Sequence, residues 1–236
     1  MYERHDSAAA LPIYVQVSER LIREIAAGRL SDGERLPPER QLAAQHQVTV
    51  RTLRKSLKIL EEKGILERVQ GSGNYVRTDP SVQSIYSMFR IELLEGGGLP
   101  TATFLDICIC EKPGDLPQFG TSTRGTRMRR LRFLNKIPTA VEEIWLDADS
   151  GVVNADDVSD SLYRYYQMKL GFWVSRAEDY VSIGHTPDWA PSDFGKLAGA
   201  ATGYIERLSW AQDPHPIEYS RTWFDPNIAH YVQRLK

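Results

Sequence analysis

The stretch VTVRTLRKSLKILEEKG, Val48 to Gly64, places four basic side chains, Arg51, Arg54, Lys55 and Lys58, within eight positions. Val50, Leu53, Leu57 and Leu60 recur between them at helical spacing, so the segment reads as a helix with an apolar stripe beside a basic one. Thr49 suits the N-cap, because its hydroxyl can accept a hydrogen bond from a first-turn amide. Gly64 supplies the left-handed stop. A solvated helix usually mixes charge signs to gain side-chain pairs, but here the acids Glu61 and Glu62 wait until the last turn. That order is unfavourable for the helix dipole, so helix stability does not explain it. A surface that meets an anion does.

The flanking sequence gives this helix a setting. Tyr14, Val17, Leu21 and Ile25 follow Pro12 at spacings of three and four, predicting a first helix that stops at Gly28. A shorter helix is expected from Pro37-Pro38, with Leu42 and Ala43 turned inward. After Gly64, ILERVQ and NYVR are β-prone runs joined by GSG, which reads as a hairpin. Three helices and a hairpin, the third helix basic on its outer face, describe a winged helix-turn-helix. Such a helix can lay arginines against base edges while the wing reaches phosphates.

Charge distribution agrees. The net charge of −2 divides into +3 over residues 1–78 and −5 over residues 79–236. A local basic patch on a chain that is not basic overall suits a localised anionic partner. With 42% hydrophobic and 25% charged residues, 236 residues can build real cores in one or two domains. No apolar run approaches the ~20 residues of a membrane span, and MYERHDSAAA lacks the apolar stretch of a secretory signal. Two cysteines, Cys108 and Cys110, are too few for a disulfide framework, so a reducing cytoplasm is expected.

Residues 12–76 resemble the DNA-binding domain of the GntR family of bacterial transcription regulators. The resemblance rests on LPPERQLA, on VTVRTLRKSL and on the GSG wing, and is nearly free of gaps. It implies DNA contacts from Arg40, Thr49, Arg51, Thr52, Arg54, Gln70 and Gly71. Two positions depart from the family pattern. Pro38 stands where a serine N-cap is frequent, and Val50 stands where an arginine is common, which removes a cap and one DNA contact.

RTDPSVQS (77–84) is polar and joins the two differently charged halves, so the organisation expected is a DNA-binding domain over 1–78, a linker over 79–88 and a second domain over 89–236. The first ten residues are left open to disorder. In the second domain TFLDICIC, MRRLRFLN, TAVEEIWLD, FWVSRAEDYVSIG, YIERLSWAQD and PIEYSRTWF read as strands, with NKIP and DPHP as tight connections. SLYRYYQMKL and APSDFGKLAG read as helices, and the segment before Gly96-Gly97-Gly98 as helix-like. The fold class expected is α+β, a winged helix-turn-helix followed by an antiparallel-sheet domain. This second half resembles the ligand-sensing UTRA domain of the HutC branch of GntR regulators, whose fold is similar to chorismate lyase.

Arg130 and Arg132 lie two apart on one strand and share a side of the sheet, suited to gripping a carboxylate or phosphate. The alternative is an exposed sheet face, as Arg127 and Arg129 on the other side illustrate. In the resembled domain this R-x-R binds the acidic part of the effector. Glu142 and Glu218 match acidic pocket positions there, and could instead be salt-bridge mates of the arginines. Ser161 and Tyr163 begin a predicted helix, where free amides favour an anion. Their alternatives are an N-cap and a packing residue. Phe224 stands where the family often has a tyrosine, which implies a less polar effector contact.

The five histidines show no ligand spacing, so no metal is expected. No cofactor is expected either: GGGLP lacks the lysine of a P-loop, and QGSGN is not a nucleophile elbow. The resemblance implies a DNA-binding regulator, a repressor released from its operator or re-positioned on it by a small acidic metabolite. Two-fold operators further imply a homodimer with recognition helices about 34–36 Å apart. The rival reading is an enzyme of lyase-like fold acting on a small acid, against which the winged helix stands. A ligand-independent architectural DNA binder would leave the sheet domain without a purpose.

Overall fold

A computed structural model of the chain describes residues 12–26, 29–77, 88–154 and 162–233. The expected stop at Gly28, most of the expected linker, the first ten residues and Ser161 lie outside them. The described chain divides into two compact units. One is built on residues 11–90 and the other on residues 91–231.

In the first unit, α1 (Ile13–Ala26), α2 (Glu39–Gln45) and α3 (Val50–Glu62) precede a hairpin of β1 (Leu66–Val69) and β2 (Gly73–Val76). Leu21 and Ile22 of α1, Leu42 and Ala43 of α2, and Leu53, Leu57 and Leu60 of α3 form one core with Ile65, Leu66 and Val76. Full burial of each such side chain is worth about 1.5–3 kcal/mol, so the apolar stripe orients the basic one outward. Thr49 caps α3 as its chemistry suggests, accepting from Thr52 N at 3.1 Å. Gly64 holds φ at +73°, and α2 starts at Pro38 without a side-chain cap. Residues 33–36 lie along β2, with Leu36 N donating to Asn74 O and Val76 N to Glu34 O.

The second unit is a six-stranded antiparallel sheet in the order β4-β5-β6-β9-β8-β7. The strands are β4 (Pro100–Glu111), β5 (Arg124–Leu134), β6 (Ile137–Asp147), β7 (Arg176–His185), β8 (Ala201–Trp210) and β9 (Glu218–Phe224). A separate pair joins β3 (Ile91–Leu93) to β10 (Ala229–Tyr231). Asn135 and Lys136, both at positive φ, turn β5 tightly into β6. β6 is central and buried from Thr139 to Asp147. On one face, Met128, Ile144 and Leu146 pack under α4 (Leu162–Tyr165) and the π turn Tyr166–Leu170 that continues it.

Three local expectations are corrected. APSDFGKLAG forms only a 3₁₀ turn at Ser192–Phe194, because Gly195 and Gly199 adopt positive φ and Pro191 precedes it. Residues before the glycine run form β3, paired with β10, and Gly96, Gly97 and Gly98 all turn at positive φ. Phe172 to Ser175 stand outside β7, which begins at Arg176.

Candidate DNA-binding face and effector site

On the first unit Arg40, Thr49, Arg51 and Arg54 are exposed, Thr52 is half-buried, and Gln70 and Gly71 are exposed at the hairpin tip. Gly71 holds φ at +77°, which the turn requires. Glu39 of α2 organises this face in a way the sequence did not announce. Its Oε2 accepts from Arg54 Nε at 2.7 Å, and its Oε1 from Arg68 Nη2 at 3.1 Å. One carboxylate therefore ties α3 to β1 of the hairpin. Lys58 instead pairs with Glu62 at 3.5 Å, both largely exposed. Val50 packs against the core, in keeping with its loss of a polar role.

On the second unit Arg130 and Arg132 are 5% and 4% exposed, so they do not decorate a solvated face. Arg130 stands opposite Glu142 in register, and its Nη2 donates to Glu142 Oε2 at 2.7 Å. Arg132 Nε lies 3.7 Å from the same oxygen. Burial pushes the Glu142 carboxyl up, but Arg132 and Arg130 outweigh it and hold the group below the usual carboxylate range. Arg130 Nε and Nη1 are buried with no hydrogen-bond acceptor among the described residues. The Arg130 guanidinium also lies 5.6 Å from the centre of the Phe104 ring. Arg127 and Arg129, on the other face, pair with Asp106 and Glu143.

Glu218 is not a salt-bridge mate of this pair in the way Glu142 is. Its oxygens accept from Tyr166 at 2.6 Å, Ser209 at 2.9 Å and Tyr163 at 3.1 Å. Burial raises its pKa, opposed in part by those three hydroxyls. The same burial, with Glu218 beside them, raises the Tyr163 and Tyr166 phenols. Both tyrosines thus donate, and they hold the helical segment 162–170 against the sheet. Phe224 is buried, its ring against Gly203.

Arg207 is a further member that sequence reasoning missed. It lies on β8, in reach of Tyr163 and close enough to Glu142 and Glu218 to bias both carboxylates. Asp179 of β7 grips it with two bonds, 2.5 and 2.7 Å, and Tyr231 donates to Asp179 at 2.8 Å. Three arginines and two glutamates thus gather in a buried polar site. Such an arrangement stabilises an acid with hydroxyl groups far better than an apolar ligand.

A winged helix-turn-helix and a sheet unit whose buried Arg130 keeps two donors open among the described residues define a ligand-responsive DNA-binding regulator. Family models agree with that class. Residues 13–76 match "Bacterial regulatory proteins, gntR family", and residues 99–229 match the UTRA domain. The chain is 52% identical to the HTH-type transcriptional regulator SmoD of Agrobacterium fabrum, over 98% of this chain and 99% of that protein. It is 30% identical to the mannosyl-D-glycerate transport/metabolism system repressor MngR of Escherichia coli, over 91% and 92%. With the HTH-type transcriptional repressor NagR of Bacillus subtilis it shares 24% identity, over 95% and 96%. The crystal structure of YydK from B. subtilis has the same fold at TM-score 0.53 and 22% identity, over 96% of this chain and all of that one. The chain belongs to the GntR family of bacterial transcription regulators and carries a UTRA effector-binding domain. It is a regulator that binds DNA, and the enzyme reading is not favoured. No helix among the described residues is long and apolar enough to cross a membrane.

Proposed function

We propose that this regulator is a cytoplasmic repressor, a homodimer on a two-fold operator, released or re-positioned by a small acidic metabolite. The acid sits on Arg130 and Arg132, with Glu142, Ser161, Tyr163, Glu218 and Phe224 around it and Arg207 as a third cation. Arg51 and Arg54 read bases, while Arg40, Thr49, Thr52, Gln70 and Gly71 position the head on the duplex. The domains run over 1–78 and 89–236 with a linker over 79–88.

The observation that carries the effector reading is the Arg130 guanidinium, buried with two donors unanswered among the described residues. A buried unsatisfied donor costs about 1–3 kcal/mol, and an anion's oxygens relieve that cost only in the bound state. A repressor role is in line with the two relatives that carry that word in their names. The test is a thermal-shift screen against acidic metabolites, followed by anisotropy of a duplex selected from a random pool by the protein itself. An acid that raises the melting temperature and lowers the bound fraction supports the reading. An acid that stabilises the protein and leaves every selected duplex bound as before contradicts it.

A further inference from the structure

Cys108 and Cys110 are alternate residues of β4, so both project to one face of the sheet. Their sulfurs stand 3.3 Å apart and share a hydrogen bond, and both are half-buried free thiols. In register they lie opposite Arg127 and Gly125 of β5, on the face away from Arg130 and Arg132. The dithiol therefore belongs to neither the effector site nor the DNA-binding face. Arg127 is held by Asp106, and its charge acts on both sulfurs. Its Nε is buried with no hydrogen-bond partner among the described residues. Cys110 packs against the apolar group of Phe119, Trp145 and Tyr219.

We propose that Cys108 and Cys110 form a chelating site for a trivalent thiophilic ion, with arsenic(III) as the class it fits. The sulfur spacing decides among ions. With metal–sulfur bonds of about 2.3 Å, tetrahedral zinc needs its sulfurs about 3.8 Å apart and a linear ion about 4.6 Å. The observed 3.3 Å corresponds to an angle of about 90° at that bond length. Trivalent arsenic, with three bonds and a lone pair, is pyramidal and adopts so acute an angle. A structural zinc also wants four ligands, and among the described residues no third histidine, cysteine or carboxylate completes such a group.

A disulfide is the other use of a close thiol pair, and the strand opposes it. Alternate residues of a strand have Cα atoms about 6.6–6.8 Å apart, at the limit of disulfide geometry. Burial, then the hydrogen bond with Cys108, push the Cys110 thiol up to about 11. That leaves little of the thiolate on which disulfide exchange depends. Condensation with an arsenic(III) oxide needs no oxidant. Two S–H bonds and the arsenic–oxygen double bond break, two arsenic–sulfur bonds form, and the oxygen leaves as water with both protons. Arsenic stays trivalent throughout.

The probe is phenylarsine oxide, added to the full chain with excess reduced glutathione and read by intact mass and by thermal melting. The parent should carry one phenylarsenic group per chain, released by dithiothreitol. Closing the second bond within one chain should make its affinity at least about 10²-fold higher than that of Cys108→Ser or Cys110→Ser. A pair spaced by the folded strand should also bind the probe best in the native state, so the parent's melting temperature should rise. Equal affinity in a single-cysteine variant overturns the chelate. An unchanged or lowered melting temperature overturns the preformed site, since the unfolded chain then closes on arsenic as well as the folded one. Loss of two hydrogens under oxidised glutathione, with the probe then excluded, assigns the pair to redox chemistry and overturns the proposal as well.

Discussion

Arg130 and Glu142 face each other across β5 and β6 and are joined at 2.7 Å, yet the same guanidinium keeps Nε and Nη1 buried without an acceptor among the described residues. Glu142 thus holds the arginine in place without satisfying it. Because Arg132 approaches the same carboxylate oxygen, one acid serves two cations. The open donors of that buried guanidinium specify an anionic ligand more sharply than an arginine pair in a sequence does.

Replacing Glu142 with glutamine should therefore destabilise the protein, since the buried Arg130 guanidinium loses the carboxylate it is bonded to, at about 3–5 kcal/mol for a broken buried pair. The pH dependence has a definite sign. A carboxyl held below its usual value contributes stability above the unfolded value of 4.5, and that contribution is lost as pH falls through the depressed folded value. Urea unfolding of the variant and parent should differ at pH 7 and converge in acid.

Glu218 should behave in the opposite sense. Its folded pKa is raised by burial, so the folded state favours the protonated form, and stability declines as pH rises from 4.5 through the raised value. Glu218→Gln removes that decline. Relative to the parent, its melting temperature should improve between pH 4.5 and 7. A constant difference across that range would contradict the assignment.

His46, at the end of α2, is lowered to about 4 by burial and by Arg20. Its neutral form is the folded form, so stability is lost as pH falls from 6.5 toward 4. His46→Gln should flatten the acid limb of operator binding and of thermal melting alike. Unchanged acid limbs in the variant would show that another group controls them.

On the DNA-binding face, Glu39→Ala should cost little stability, about 0.2–1 kcal/mol for each exposed pair. It frees Arg54 from α2 and Arg68 from the carboxylate that ties the hairpin to α3, so operator affinity should fall despite the removal of a negative charge. Arg51→Ala or Arg54→Ala should each cost ~1–3 kcal/mol and relax one position per half-site. Lys58→Ala should weaken all sequences alike. Anisotropy against operator and scrambled duplexes separates these outcomes.

Much of this was legible because local rules act on neighbours in sequence. Helical spacing exposed the core of Leu21, Leu53, Leu57 and Leu60, and strand alternation put Arg130 and Arg132 on one face. Arg207 was not legible. Its place depends on the order β9-β8-β7, which brings Asp179 beside it, and strand order is set by packing of whole segments. Glu39 escaped for a similar reason: Arg54 and Arg68 lie 15 and 29 residues away from it. APSDFGKLAG misled because its composition hides how Pro191, Gly195 and Gly199 divide it.

The central claim is that an acid bound at Arg130 controls the hold on DNA. Removing both arginines would strand Glu142 as a buried, unpaired charge, so the cleaner variant is Arg130→Gln with Glu142→Gln, which deletes one charge of each sign. The decisive measurement is operator release, followed by anisotropy as the stabilising acid is titrated into parent and variant. Losing charge-assisted bonds of about 1.5–3 kcal/mol each should raise the acid concentration for half-release at least tenfold, with acid-free operator affinity unchanged. A folded variant that releases its operator at the parent's acid concentration would contradict the account.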